Sequence, residues 1–134
     1  GTLGRKLLTH VRDVMRTGDA LPRVTQEAGL MTLMREISAK GLGASAIVDD
    51  DNRVLGIFTD GDLRRLIEKG VDLRALKASD VMHANPHTIA QSALAVEAAE
   101  LMELHRITSI LVVDDHGRLC GAINSNDLMR AKVI

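Results

Sequence analysis

A chain of 134 residues with a net charge of -1 can bury roughly two thirds of its unfolded surface in one domain, so it needs neither disulfides nor a structural metal. The charge balance excludes a nucleic-acid surface, which carries a basic excess, and no apolar run approaches the roughly 20 residues of a membrane span. Phe58 is the only aromatic residue, which also excludes a base-stacking groove for single strands.

In chain order, Pro22 to Thr25 reads as a short extended piece. Leu30, Leu33, Met34 and Ile37 then recur at helical spacing. Gly29 is a tolerable N-cap, and Gly41 and Gly43 can end the helix. Ala46 to Val48 is a continuous apolar run, which suits a strand covered on both faces. Asp49-Asp50-Asp51-Asn52 is a turn, Val54 to Phe58 completes a hairpin, and a second helix begins near Asp60 and closes at Gly70. The order then recurs. Pro86 to Ile89 is extended, and a helix carries Leu94, Ala98, Leu101 and Met102, with Ser92 as its expected N-cap. Ile110 to Val113 and Leu119 to Ile123 flank the turn Asp114-Asp115-His116-Gly117, and a last helix begins near Ser125. Each copy is β-α-β-β-α, and the fold class is α/β.

The recurrence is a true repeat. Leu42 to Arg65 aligns without a gap on Ile107 to Arg130. Val48, Asp49, Asp50, Arg53, Gly56, Asp62, Leu63 and Arg65 meet identical residues, whereas average usage gives roughly one or two such matches by chance. Upstream, Asp13-Val14-Met15 pairs with Asp80-Val81-Met82, and the two methionines are expected to line ligand clefts. The expected boundaries are 1–10 for a linker, 11–77 for the first repeat and 78–134 for the second.

The sharpest motif spans the change from strand to helix, Gly56-Ile57-Phe58-Thr59-Asp60-Gly61-Asp62-Leu63. Its partner is Gly121-Ala122-Ile123-Asn124-Ser125-Asn126-Asp127-Leu128. Thr59 and Asp62 have the spacing of a capping box, in which the two side chains satisfy backbone N–H groups. A helix N-terminus also welcomes phosphate, and a carboxylate one turn in accepts two bonds from a cis-diol, at about 1.5–3 kcal/mol each. The two roles are compatible, with Thr59 capping and Asp62 facing a ligand.

Over nearly its whole length the chain resembles the CBS family, whose modules occur in tandem pairs. The pattern of a glycine, two apolar residues, Thr or Ser, two variable residues and Asp is complete in the first copy. In the second, Asn124 replaces the hydroxyl residue. The resemblance implies repeats packed about a pseudo-twofold axis, each cleft joining the helix start of one copy to the residues before the first hairpin strand of the other. The first cleft would then hold Thr59, Asp62, Thr108 and Ser109, with Arg64 and Arg65 reaching an anionic group. The second would hold Asn124 and Asp127 beside Gly43 and Ala44. The first is expected to be the main ligand site.

Three stretches narrow the resemblance: Gly1 to Leu8 running into Asp13-Val14-Met15, Thr17-Gly18-Asp19 followed by Pro22, and Phe58 to Arg65. They are similar to the C-terminal half of bacterial D-arabinose 5-phosphate isomerases, in which a sugar-isomerase (SIS) domain precedes the CBS pair. Those enzymes interconvert ribulose 5-phosphate and arabinose 5-phosphate on the way to the lipopolysaccharide sugar Kdo. Relatives serving capsule or sugar-alcohol pathways share the pattern. The implied role is regulatory, without catalysis in this chain. A nucleotide or nucleotide sugar, CMP-Kdo or an adenine nucleotide such as AMP or ATP, would bias the isomerase. Arg64, Arg65 or Arg23 would meet a sugar carboxylate. The implied partners are that ligand, the chain's own SIS domain and a second copy in a homo-oligomer. The alternative is an oligomerisation module with vestigial clefts.

The remaining features carry no site. The five histidines lack ligand-like spacing, and Asp49 to Asp51 lack the longer loop and closing Glu of a calcium site. Cys120 lies in an apolar strand with no base near it in sequence. A single cysteine and no charged-then-apolar leader point to the cytoplasm, and no required cofactor or metal is expected.

Overall fold

The computed structural model describes residue 4 and residues 7–134. The N-terminal linker expected over 1–10 thus falls partly outside the described residues. The chain forms two compact units, one of residues through Leu21 together with His87–Ile134, the other of Pro22–Pro86.

In the unit of residues 22–86, β1 (Arg23–Thr25) leads to α1 (Leu30–Lys40), then to the hairpin β2 (Ala44–Val48) and β3 (Val54–Thr59). Helix α2 (Asp60–Glu68), the short α3 (Ala78–Val81) and β4 (His83–Ala84) follow. The sheet order is β1-β2-β3-β4, with β1 parallel to β2 and the other pairs antiparallel. Of the stripe read from the sequence, helix α1 buries Leu30, Leu33 and Ile37 and packs the half-buried Met34 against the same core. Gly29 is its N-cap, and Gly41 ends it in the left-handed region at φ +67, where glycine carries no Cβ penalty. Strand β2 is buried at every residue, as expected of a strand covered on both faces. It begins at Ala44, two residues before the apolar run, because the small residues Ala44 and Ser45 pair with Thr59 and Phe58.

The other unit repeats the plan. Strands β5 (Thr88–Ala90), β6 (Ser109–Val113) and β7 (Leu119–Asn124) pair in that order, with α5 (Ala95–His105) between β5 and β6 and α6 (Ser125–Arg130) after β7. Both hairpins carry the same register shift, between Ile47 and Val48 and between Val112 and Val113. The short helix here called α4 (Val11–Val14) precedes all of these in the chain. The expected N-cap of α5 is corrected: Leu94 occupies it, and its N–H donates to the Glu97 carboxylate at 3.1 Å. Ser92 lies in a turn closed by the Ala93 N–H on the Ala90 carbonyl.

The units are offset from the sequence repeats. Segment 78–82 docks on the loop before α1, through Ala78 N–H to the Ala28 carbonyl (2.7 Å) and Ser79 N–H to Gln26 (3.0 Å). Its counterpart, 11–15, docks on the loop before α5, through Val11 N–H to Ala93 (2.8 Å) and Arg12 N–H to Gln91 (3.1 Å). Met82 and Met15 thereby pack on the cores of residues 22–86 and 87–134 respectively. Each lies over a glycine, which explains why Gly56 and Gly121 are both glycine. A Cβ on Gly56 would stand 2.6 Å from Met82 Sδ and 2.8 Å from the His83 carbonyl, and one on Gly121 would collide with Met15 Sδ. Gly56→Ala is expected to lower stability by about 1–3 kcal/mol, because the sheet-edge carbonyl must shift. A urea midpoint equal to wild type would show that β4 yields freely.

Candidate functional site

Thr59 and Asn124 end their strands in extended conformation and become helix N-caps. In residues 22–86, Thr59 Oγ1 accepts from the Asp62 N–H at 3.2 Å, and Asp62 Oδ2 accepts from the Thr59 N–H at 2.9 Å. In the other unit the Asp127 N–H donates to Asn124 Oδ1 at 2.9 Å, and the Asn124 N–H to Asp127 Oδ2 at 3.0 Å. The capping box is therefore real in both copies, and asparagine fills the hydroxyl's place without loss of the bond. The residues before the first hairpin strand pin each helix start from within its own unit. The Asp60 N–H donates to the Gly43 carbonyl (3.1 Å), and the Ser125 N–H to the Thr108 carbonyl (2.9 Å). Ser109 is buried and pairs with Asn124, as Ala44 pairs with Thr59.

Both aspartates are buried, and both carry further partners. Asp62 Oδ1 accepts from Arg65 at 2.6 Å and meets His83 Nε2 at 2.8 Å. Asp127 takes a two-pronged bond from Arg16, Nε to Oδ2 at 3.0 Å and Nη2 to Oδ1 at 3.1 Å, and a third from Arg130 at 2.7 Å. Arg65 thus turns back along its helix onto Asp62. The Arg64 guanidinium stays near the helix start: a Cβ on Gly61 would lie 3.4 Å from both terminal nitrogens of Arg65 and 3.7 Å from one of Arg64. Met129 holds the corresponding place in the second copy. Arg23 donates to Asn52 at 2.9 Å.

Burial alone would raise both carboxyl pKa values, but the bonds outweigh it. For Asp62 these come from Arg65, Thr59 and His83, and for Asp127 from Arg16, Asn124 and Arg130, so both values fall below the ordinary 3.8. A carboxyl lowered on folding stabilises the fold above its unfolded value, near pH 4, and loses that contribution as pH falls through the lowered value. Stability should therefore drop below about pH 4. In urea titrations, Asp127→Asn should flatten that acid limb; an unchanged limb would place the acid sensitivity elsewhere.

His83 and Arg16 were not among the sequence candidates. They occupy equivalent positions, one residue past the matched methionines and at the sheet edge, where His83 pairs with Ile57 and Arg16 with Ala122. Extending the upstream match by one residue would have found them. Of the other histidines, His10 is the N-cap of α4, while His87 and His105 stack with ring centroids 3.6 Å apart. Among the described residues no three His, Cys, Asp or Glu side chains gather as a metal site. Asp49 Oδ1 accepts from the Asp51 and Arg53 N–H groups, closing the turn. The Cys120 thiol packs on the core, and burial pushes its pKa up, away from nucleophilic use. No helix among the described residues is long and apolar enough to cross a membrane.

Two α/β units, each with a capped aspartate where strand turns to helix, define a tandem repeat module. The chain belongs to the CBS domain family, which matches residues 11–69 and 78–134. The CBS pair is a non-catalytic module. Arabinose 5-phosphate isomerase KdsD of Escherichia coli (strain K12) is 47% identical over 135 residues, covering 100% of this chain and 40% of the relative. The Pseudomonas aeruginosa isomerase of the same name is 42% identical over 134 residues, 100% of this chain and 41% of its own length. The chain thus spans about two fifths of these curated relatives. Among solved structures, an uncharacterised conserved protein from Pyrococcus horikoshii superposes with a TM-score of 0.81 at 25% identity, over 93% of this chain and 92% of that one. The CBS pair of protein MJ0100, solved with 5′-methylthioadenosine and S-adenosyl-L-methionine, superposes at 0.81 with 21% identity, over 91% and 94%. CBSX2 in complex with AMP superposes at 0.76 with 23% identity, over 92% and 95%.

Proposed function

We propose that the chain is the ligand-sensing regulatory part of a cytoplasmic arabinose 5-phosphate isomerase, and that it binds a nucleotide or nucleotide sugar at the Thr59–Asp62 helix start. One observation carries the reading. A buried carboxylate at the start of a nine-residue helix stands beside two guanidinium groups gathered over Gly61. A ribose cis-diol matches the carboxylate, and a phosphate or sugar carboxylate matches Arg64, Arg65 and the helix N-terminus. Asn124 and Asp127 form the weaker candidate set. CMP-Kdo, as a late product of Kdo synthesis, combines the required diol, phosphate and carboxylate. AMP is the first adenine probe, since CBSX2, which shares the fold, was solved with AMP. Regulation follows if the ligand binds two states of the whole enzyme with different affinity.

A thermal-shift screen with CMP-Kdo, CMP, AMP and ATP tests the reading. A ligand at 100 times its dissociation constant adds about 2.7 kcal/mol, a rise of roughly 5–15 °C at this size. No shift with any of the four would favour the second reading, a homo-oligomeric assembly module. That reading is supported by exposed Leu104, Met129 and Ile134, the last of which borders an apolar pocket of about 340 Å³ with Met102 and Leu128.

A further inference from the structure

The two capped aspartates sit in equivalent frames, but the sheet edge presents histidine to one and arginine to the other. His83 offers Asp62 a single bond, and its side chain is 67% exposed; Arg65 also offers one and is 59% exposed. Both can swing into water and leave Oδ1 open. Arg16 differs in each respect. It grips both oxygens of Asp127, its side chain is 18% exposed, and its backbone is bonded to Ala122 in both directions, at 2.8 and 3.2 Å. With the Asn124 N–H and Arg130, Asp127 accepts four bonds, about the full capacity of a carboxylate. A two-pronged charged pair is the strongest of these contacts, and expelling its guanidinium for a neutral diol would strand a buried charge.

We propose that Arg16 is a built-in occupant of the Asp127 site, which closes that carboxylate to a ribose diol and confines ligand exchange to Asp62. The inference rests on the reading of Asp62 as the diol acceptor. Arg16 is then a specificity-determining residue, and the single change from histidine to arginine separates the ligand behaviour of the two copies.

Carbodiimide-driven coupling of glycine ethyl ester, read by peptide mass spectrometry, tests this without any ligand. In the wild-type chain Asp62 should react about tenfold or more faster than Asp127. Arg16→His, which installs the first copy's residue, should bring the two rates together. Arg16→Lys, which keeps the charge and loses the fork, should move Asp127 in the same direction and serves if the histidine variant fails to melt cooperatively. Equal rates in the wild type would overturn the assignment. Calorimetry with AMP adds the ligand arm. The expected result is one AMP per wild-type chain and two per Arg16→His chain, the second lost again on Asp127→Asn. Two AMP per wild-type chain would overturn the proposal. A labelling contrast without AMP binding would uphold Arg16 and count against AMP as the ligand of Asp62.

Discussion

Phe58→Ala is expected to destabilise the unit of residues 22–86 by about 3–5 kcal/mol, the cost of deleting a fully enclosed aromatic ring. Phe58 is wholly buried on β3, in a core with Val24, Leu30, Leu33, Ile37, Ile47 and Ala78. That cluster draws on β1, α1, β2 and α3 as well as β3, so the ring lies in the core these elements share. The chain has no other aromatic residue, and its smaller aliphatic neighbours cannot collapse into a hole of that size without moving the sheet. The melting temperature should fall by roughly 10–20 °C. Phe58→Leu, which retains part of the volume, should fall less. An alanine variant within about 1 kcal/mol of wild type would mean that the core repacks, contrary to the close packing described.

Arg16→Ala is the second large effect. It should cost about 3 kcal/mol, because Asp127 stays buried while losing both prongs of its fork. The expectation lies at the low end for a broken buried pair, since Arg130 still reaches Oδ1 at 2.7 Å. His83→Ala is the matched control at the equivalent position. It removes one bond from an exposed side chain and should cost less than about 1 kcal/mol. Chemical denaturation of both variants at neutral pH checks the pair, and equal costs would remove the basis for treating the two aspartates differently.

Much of the fold was legible because the β-α-β-β-α elements are written in local patterns. The Leu30, Leu33, Ile37 stripe and the unbroken apolar runs of β2 and β6 needed only a few neighbouring residues to read. Local pattern failed where the partner is distant. Arg16 and Asp127 lie 111 positions apart, and no spacing rule links them. The docking of 11–15 onto 91–93 is equally invisible to a window of one helix length. Ser92 was the better capping residue by type, but the cap position went to Leu94, which Glu97 serves from inside the helix. At the candidate site the Thr59/Asp62 motif and its asparagine counterpart were legible. The sequence suggested a carboxylate waiting for a ligand, whereas the structure shows one already held by its own chain, by the exposed side chains of Arg65 and His83 at Asp62 and by the largely buried fork of Arg16 at Asp127.

That contrast makes the affinity of Asp62→Asn, measured by calorimetry beside Asp127→Asn, the most direct test of the central claim. The substitution preserves size and removes the charge that a ribose diol would bond. With CMP-Kdo, CMP, AMP and ATP as probes, whichever binds the wild-type chain should bind Asp62→Asn roughly 10- to 150-fold more weakly, the equivalent of one charge-assisted bond. Asp127→Asn should bind as the wild type does. Undiminished binding to Asp62→Asn, or a loss that falls on Asp127→Asn instead, would contradict the assignment of ligand binding to the Thr59–Asp62 helix start.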